Sequence, residues 1–186
     1  MTPNEYFNIE IRGASSSGGG RIPAMPVVTR LVSILHGIFR AHPDMFALAF
    51  PRMTTGEFRH PGHVVRVFAQ SRDDLDLVHK DLSGNERIAG YVRTDYPKTV
   101  PEKFNGLWKE YRRYRIPGNG SRLGKCRDYR LKRAEELPFL RLVSKGNRNV
   151  FSFHIEEREG ERVDNCQPDS YGFSVPSRAF ALPVVQ

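Results

Sequence analysis

The sequence predicts an α+β fold in two parts: an N-terminal ferredoxin-like (RRM-like) domain over residues 1-95, and a less regular C-terminal α+β domain with a basic helix over residues 96-186. Three observations predict it. Apolar patterns in the first part follow the order strand, helix, strand, strand, helix, strand. A proline-spaced stretch, YPKTVPEKF at 96–104, separates that part from the rest. Beyond it the excess positive charge gathers in one block, followed by short strand-like runs with no internal repeat.

The elements follow in order. YFNIEIRG (6–13) alternates, with Phe7, Ile9 and Ile11 on one face and Asn8, Glu10 and Arg12 on the other, which is the pattern of a half-buried strand. ASSSGGG (14–20) reads as a flexible loop. VVTRLVSILHGIFRAH (27–42) is helical, with Val28, Leu31, Leu35 and Phe39 on an apolar face flanked by Ile34 and Ile38, and Pro43 ends it. MFALAFP (45–51) and HVVRVFAQ (63–70) read as strands. SRDDLDLVHKDL (71–82) is a helix with Ser71 as its N-cap, and ERIAGYVRT (86–94) is a fourth strand. In the second part LWKEYRRYRI (107–116) is extended, and SRLGKCRDYRLKRAEE (121–136) is a short helix weakened by Gly124. LPFLRLVS, VFSFHIEE and SYGFSVP complete the chain as strands. A glycine inside the last of them suggests a bulge or a close approach to the backbone.

Composition is that of an ordinary globular protein, with 39% hydrophobic and 27% charged residues in 186. No apolar run approaches bilayer length, and the N-terminus has neither the basic nor the apolar region of a secretion signal. Two cysteines, Cys126 and Cys166, are too few for a disulfide framework or a cysteine zinc site, so an intracellular, cytoplasmic, reducing home is expected. The net charge is +8 and the pI near 9.8. Ten basic residues and only two acids, Glu110 and Asp128, lie between Lys109 and Arg133, so that window holds the whole excess and the remainder is neutral. A local basic block points to a polyanion as partner, the rival reading being a solvated charge run. A membrane surface fits less well, because no amphipathic helix with a bulky apolar face accompanies the block.

The common phosphate-binding, zinc-protease and serine-hydrolase motifs are absent. Asp73 and Asp74 open a helix, where acids suit the dipole. His60 and His63 have no third metal ligand nearby in sequence and read as a turn entering a strand. His36 differs: on a helical wheel it lies off the apolar face, beside Arg40, and a histidine there is either an idle surface group or a proton carrier. His42, at the helix end, is a cap or surface group. Ser144 precedes a polar loop, VSKGNRN, and Tyr171 sits beside a glycine in SYGFS. A basic patch, a histidine, a serine and a tyrosine suit RNA cleavage, because RNA carries its own nucleophile in the 2′-hydroxyl. An enzyme need only align that oxygen with the phosphate, move its proton and steady the charge.

In this order the motifs resemble the type I-F CRISPR repeat endoribonucleases. LHGIF followed by ALAFP looks like the family's catalytic-histidine helix and next strand, implying His36 as the catalytic histidine, with His42 as the alternative. LPFLRLVS is similar to the strand ending in a catalytic-site serine, Ser144, and SYGFS to the near-terminal motif carrying a site tyrosine, Tyr171. VFSFHI resembles the strand whose leading phenylalanine stacks on the base of the hairpin stem, here Phe151, although strand parity places it with Phe153 and Ile155 as a core residue would be. YRRYR occupies the base-reading segment, implying Arg113 and Arg115, with Arg112 beside them as an RNA-binding residue. The basic helix supplies Arg122, Lys125, Arg130, Lys132 and Arg133, and the polar loop Arg148 and Asn149, as further RNA-binding residues. The chain departs from the family where a second serine often follows the first (here Gly146), in its shorter basic helix, and in Trp108 at the head of the arginine strand.

The resemblance implies a metal-independent endoribonuclease that cuts repeat hairpins in precursor CRISPR RNA, needs no cofactor, leaves 2′,3′-cyclic phosphate and 5′-hydroxyl ends, and stays on the product hairpin within the type I-F surveillance complex. On that reading the glycine of SYGFS lets the RNA backbone pass close by. The rivals are a non-catalytic hairpin-binding subunit of a ribonucleoprotein, and a basic protein contacting duplex DNA or a protein partner.

Overall fold

The computed structural model describes residues 1–13, 23–117, 124–144 and 148–185, with the side chain of Lys125 outside that description. The loop at 14–20, Arg122 and Gly146 lie outside the described residues. Along the chain run β1 (Glu5–Ile11), α1 (Ala24–Ala41), β2 (Ala47–Ala49), a 3-10 turn (Gly56–Phe58), β3 (Val64–Ala69), α2 (Arg72–Ser83), β4 (Val92–Thr94) and β5 (Lys98–Thr99). Then follow β6 (Trp108–Tyr114), α3 (Gly124–Ala134), β7 (Phe139–Val143), β8 (Val150–Glu159) and β9 (Leu182–Pro183). The fold is α+β. One antiparallel sheet has the order β2-β3-β1-β4, with β5 pairing the other end of β1. A second antiparallel sheet has the order β7-β8-β6-β9.

The predicted alternation of β1 holds, since Phe7, Ile9 and Ile11 are buried. Helix α1 starts earlier than the apolar pattern suggested. Pro23 is its N-cap, and Pro26 falls in the first turn, where the missing amide proton has no helical partner to lose. Its far end closes where the His42 amide donates to the carbonyls of Ile38 and Phe39. Against the expectation that no stretch reaches bilayer length, α1 is long and apolar enough to cross a membrane. Its apolar side chains Val28, Leu31, Val32, Leu35, Ile38 and Phe39 are nonetheless buried in the protein. They pack on β1, α2 and β7, so α1 touches both sheets. Ser71 caps α2 as predicted: the Asp74 amide donates to its Oγ at 3.3 Å, and its own amide donates to Asp74 Oδ2 at 3.1 Å.

The fourth strand is shorter than expected. Residues 86–91 turn, because the Asn85 carbonyl accepts from the amides of Ile88 and Ala89, and only Val92–Thr94 joins the sheet. The buried side chains of both sheets form one contiguous core, in which Phe50 packs on Tyr111 and Phe173, and Phe153 on Phe173.

Candidate active site

SYGFS is not the strand that its alternation suggests. Asp169 organises it as a turn. The Asp169 carboxylate accepts the amides of Tyr171 at 2.8 Å and Phe173 at 3.0 Å, and its carbonyl accepts the Gly172 amide at 2.8 Å. Gly172 has φ +80°, and a Cβ there would lie 2.9 Å from Phe39 Cε2 and 3.0 Å from both Leu48 Cγ and the Leu48 nitrogen. The reason for this glycine is therefore internal. It lets the turn sit directly on α1 and β2, where its carbonyl accepts the Leu48 amide at 2.9 Å. The expectation that it clears a path for RNA is replaced by this packing. The second serine of the motif, Ser174, is buried and structural, with Oγ donating to Glu110 and accepting from the Phe180 amide.

Anchored this way, the turn brings Tyr171 and Ser170 to His36. The rings of His36 and Tyr171 stack at 3.8 Å with 5° between their planes, and His36 Nδ1 lies 2.7 Å from the Ser170 carbonyl oxygen. A carbonyl can only accept, so Nδ1 carries the proton and the neutral ring has its lone pair on Nε2. A cavity of about 260 Å³ opens here, lined by His36 and Tyr171 with Ser144, Phe151 and Arg40. His42 is not among the lining residues. It lies six residues further along, roughly 9 Å down the helix axis, with its ring edge-on to Phe46.

Phe151 answers both readings made for it. Its register partner is Leu142, and its ring packs on the rim of the core while half-exposed to the cavity, whereas Phe153 and Ile155 on the same face are fully buried. Ser144 directly follows β7, its amide donating to the Asn149 carbonyl and its carbonyl accepting from the amide of Arg148, which has φ 57°. Arg148 and Asn149 are exposed beside it.

Neighbouring arginines of β6 point to opposite faces of the strand. Arg113 lies on the site's side, its guanidinium 5.2 Å from the Phe151 ring centre and 5.0 Å from that of Phe153. Burial, then the charge of Arg115, lowers its pKa, while Tyr171 and Asp169 oppose that shift. Burial likewise raises the Tyr171 pKa, so its phenol stays protonated at neutral pH. Arg112 faces the other way and is held by Glu156 at 3.1 Å and Glu110 at 3.8 Å. With Arg113, Arg115, Arg130 and Arg158 it lines a second cavity of about 420 Å³. Arg130 reaches from α3 to the Arg115 carbonyl and covers Tyr114, Lys132 is exposed, and Arg133 pairs with Glu136. The structure thus gathers His36, Ser144, Tyr171, Phe151 and Arg113 at one place, and leaves Arg112, Arg115, Arg130, Lys132 and Arg133 on the adjoining basic surface.

A family model described as CRISPR-associated protein (Cas_Csy4) matches residues 6–184. The chain belongs to that family. Its members are CRISPR-associated endoribonucleases, and their work is the processing of repeat RNA. The matched span contains every residue lining the His36 cavity. No curated protein matches the chain.

Sequence reasoning missed two members of the site. Asp169 orients the turn, and its signal was legible, because an aspartate two residues before Tyr171 is placed to accept that amide. Arg40 lines the cavity one helical turn from His36. The Ser170 carbonyl has no signal in the sequence, since any residue at that position supplies one.

Proposed function

We propose that this chain cuts the CRISPR repeat hairpin without a metal, using the RNA's own 2′-hydroxyl as nucleophile. The observation that carries the reading is the His36 ring, stacked on Tyr171 and tied through Nδ1 to the Ser170 carbonyl in a cavity shared with Ser144 and Phe151. In this arrangement His36 Nε2 takes the proton from the 2′-hydroxyl, or in its protonated form gives one to the leaving oxygen. The 2′-oxygen bonds to phosphorus as the bond from phosphorus to the 5′-oxygen breaks. The upstream fragment then ends in a 2′,3′-cyclic phosphate, and the 5′-oxygen leaves with a proton as a hydroxyl. Ser144 restrains the 2′-hydroxyl or the phosphate, and the protonated Tyr171 holds the imidazole plane. Phe151 offers its exposed face to the last base pair of the stem. Arg113 and Arg115 read or clamp the stem, and the basic surface on α3 follows its phosphates. The cut hairpin stays bound and enters a type I-F surveillance complex.

The test uses RNA that copurifies with the protein in EDTA. Sequenced 3′ ends should fall at one position and carry a cyclic phosphate. His36→Ala should bind the hairpin with wild-type affinity and leave it uncut. Continued uniform processing by that variant would make the protein a hairpin cap, and heterogeneous RNA would remove hairpin recognition altogether.

A further inference from the structure

The His36 cavity holds one cation that the cleavage chemistry leaves without a task. Among the described residues lining it, Arg40 is the one permanent cation, and none is acidic. Arg40 is exposed, and among the described residues it has no hydrogen bond or ion pair. The acid closest to it in sequence, Asp44, pairs instead with Arg178 at 3.7 Å. Arg40 follows His36 by one turn of α1, so the two share a face about 6 Å apart along the axis. Helical side chains lean toward the N-terminus, which carries that of Arg40 back over the turn bearing His36. Its charge is felt across the cavity: burial raises the Tyr171 pKa, and Arg113 and Arg40 both pull against that rise. Arg113 itself lies over the rings of Phe151 and Phe153 and does not line this cavity.

We propose that Arg40 is a further catalytic residue, whose guanidinium donates to a non-bridging oxygen of the scissile phosphate. The inference rests on the proposed hairpin cleavage. Attack by the 2′-oxygen makes phosphorus five-coordinate, and negative charge builds on its non-bridging oxygens before the 5′-oxygen leaves. His36 moves a proton in this step, and Ser144 and the protonated Tyr171 are neutral, so none of the three supplies a fixed positive charge. The Arg40 guanidinium does. Its contact strengthens as the charge grows, so it favours the transition state over the bound hairpin. The position of Arg40 in the last turn of α1 gives it a rival role, since a cation there also suits the helix dipole. The two roles differ in what they change: the dipole acts on stability, and the phosphate contact acts on rate.

The test uses single-turnover cleavage of the repeat hairpin identified from copurifying RNA, at saturating protein. Arg40→Ala should slow cleavage about a hundredfold, as loss of one donor to a developing oxyanion does. Its urea midpoint, and its affinity for a hairpin made uncleavable by a 2′-deoxy nucleotide at the attacking position, should match the wild type. Arg40→Lys keeps the charge but not the planar fork, and should cleave about tenfold faster than Arg40→Ala. The decisive readout replaces each non-bridging oxygen of the scissile phosphate by sulfur in turn. One of the two phosphorothioate diastereomers should slow the wild type about tenfold more than the other, because it spoils a charge-assisted hydrogen bond. Arg40→Ala should treat the two alike. Wild-type cleavage by Arg40→Ala, a rate loss matched by a lower urea midpoint or weaker hairpin binding, or the same diastereomer preference in both proteins would overturn the proposal while leaving hairpin cleavage intact. Failure of the wild type to cleave the hairpin would remove the cleavage reading and this inference together.

Discussion

Replacing Gly172 by alanine tests the physical account of the site most directly. The added methyl meets two costs. At φ +80° an alanine backbone is disfavoured, by about 1–2 kcal/mol. The methyl would also sit 2.9 Å from Phe39 Cε2 and 3.0 Å from Leu48 Cγ and the Leu48 nitrogen. Neither neighbour has room to yield: Phe39 is 2% and Leu48 0% exposed, and the Leu48 amide already donates to the Gly172 carbonyl. Overpacking of this kind costs about 1–3 kcal/mol. Together the substitution should remove about 2–5 kcal/mol, lowering Tm by roughly 5–20 °C in a chain of this size. The relief available to the protein is to lift the turn at 169–173 off α1, which separates the Ser170 carbonyl from His36. Cleavage should therefore fall even well below Tm, while the affinity for the hairpin, carried by β6 and α3, should change little. Urea unfolding gives the stability, single-turnover cleavage the rate, and filter binding the affinity. A variant with unchanged stability and normal cleavage but weakened hairpin binding would refute the packing account. It would return the glycine to the role of clearing a path for RNA.

Two further outcomes separate structural from RNA-facing basic groups and give the fold a pH signature. Arg112→Ala should destabilise the protein by about 2–3 kcal/mol, because it removes one of the two arginines, Arg112 and Arg158, that pair the Glu156 carboxylate, whose side chain is only 6% exposed. Arg115→Ala, on an exposed residue, should leave the urea midpoint unchanged and weaken hairpin binding, and the opposite pattern would reverse these assignments. Burial, then the charge of Arg59, holds the His154 pKa below 6.5. The unfolded chain therefore takes up that proton first as the pH falls, and stability should drop from about pH 6.5 downward. His154→Gln should flatten the urea midpoint between pH 7 and pH 5 relative to wild type. An identical pH slope in the two proteins would exclude His154 as a source.

The helices and most strands were legible because their signals are local. The Ser71 capping box and the buried face of α1 lie within single elements, and the structure reproduces them. Residues 86–94 and 170–176 misled because alternation does not report turn chemistry. Asn85 in one case and Asp169 in the other capture backbone amides that a strand would need for its ladder. Among the site residues, His36 was visible as a histidine off the apolar face, whereas the stack on Tyr171 depends on contacts 135 positions apart in sequence and has no local sign. Arg112 and Arg113, grouped together as RNA-binding residues on sequence alone, face opposite sides of the strand, and only the partners across β8, Glu156 and Ile155, decide which face is buried and which is paired.

The site and the core are built from the same three segments. His36 rides on α1 between Leu35 and Ile38, Phe151 precedes Phe153 on β8, and Tyr171 precedes Gly172 and Phe173 in the turn. In each case the functional side chain is a neighbour of buried ones. Phe153 touches both Tyr171 and Phe173, so the ring that stacks on His36 is itself held by the core. A histidine exposed enough to meet RNA has little packing of its own to fix its ring. Its orientation comes instead from a backbone carbonyl and from a tyrosine whose position the interior determines. Shape changes in that interior should therefore register first as lost catalytic geometry, and only at higher cost as unfolding.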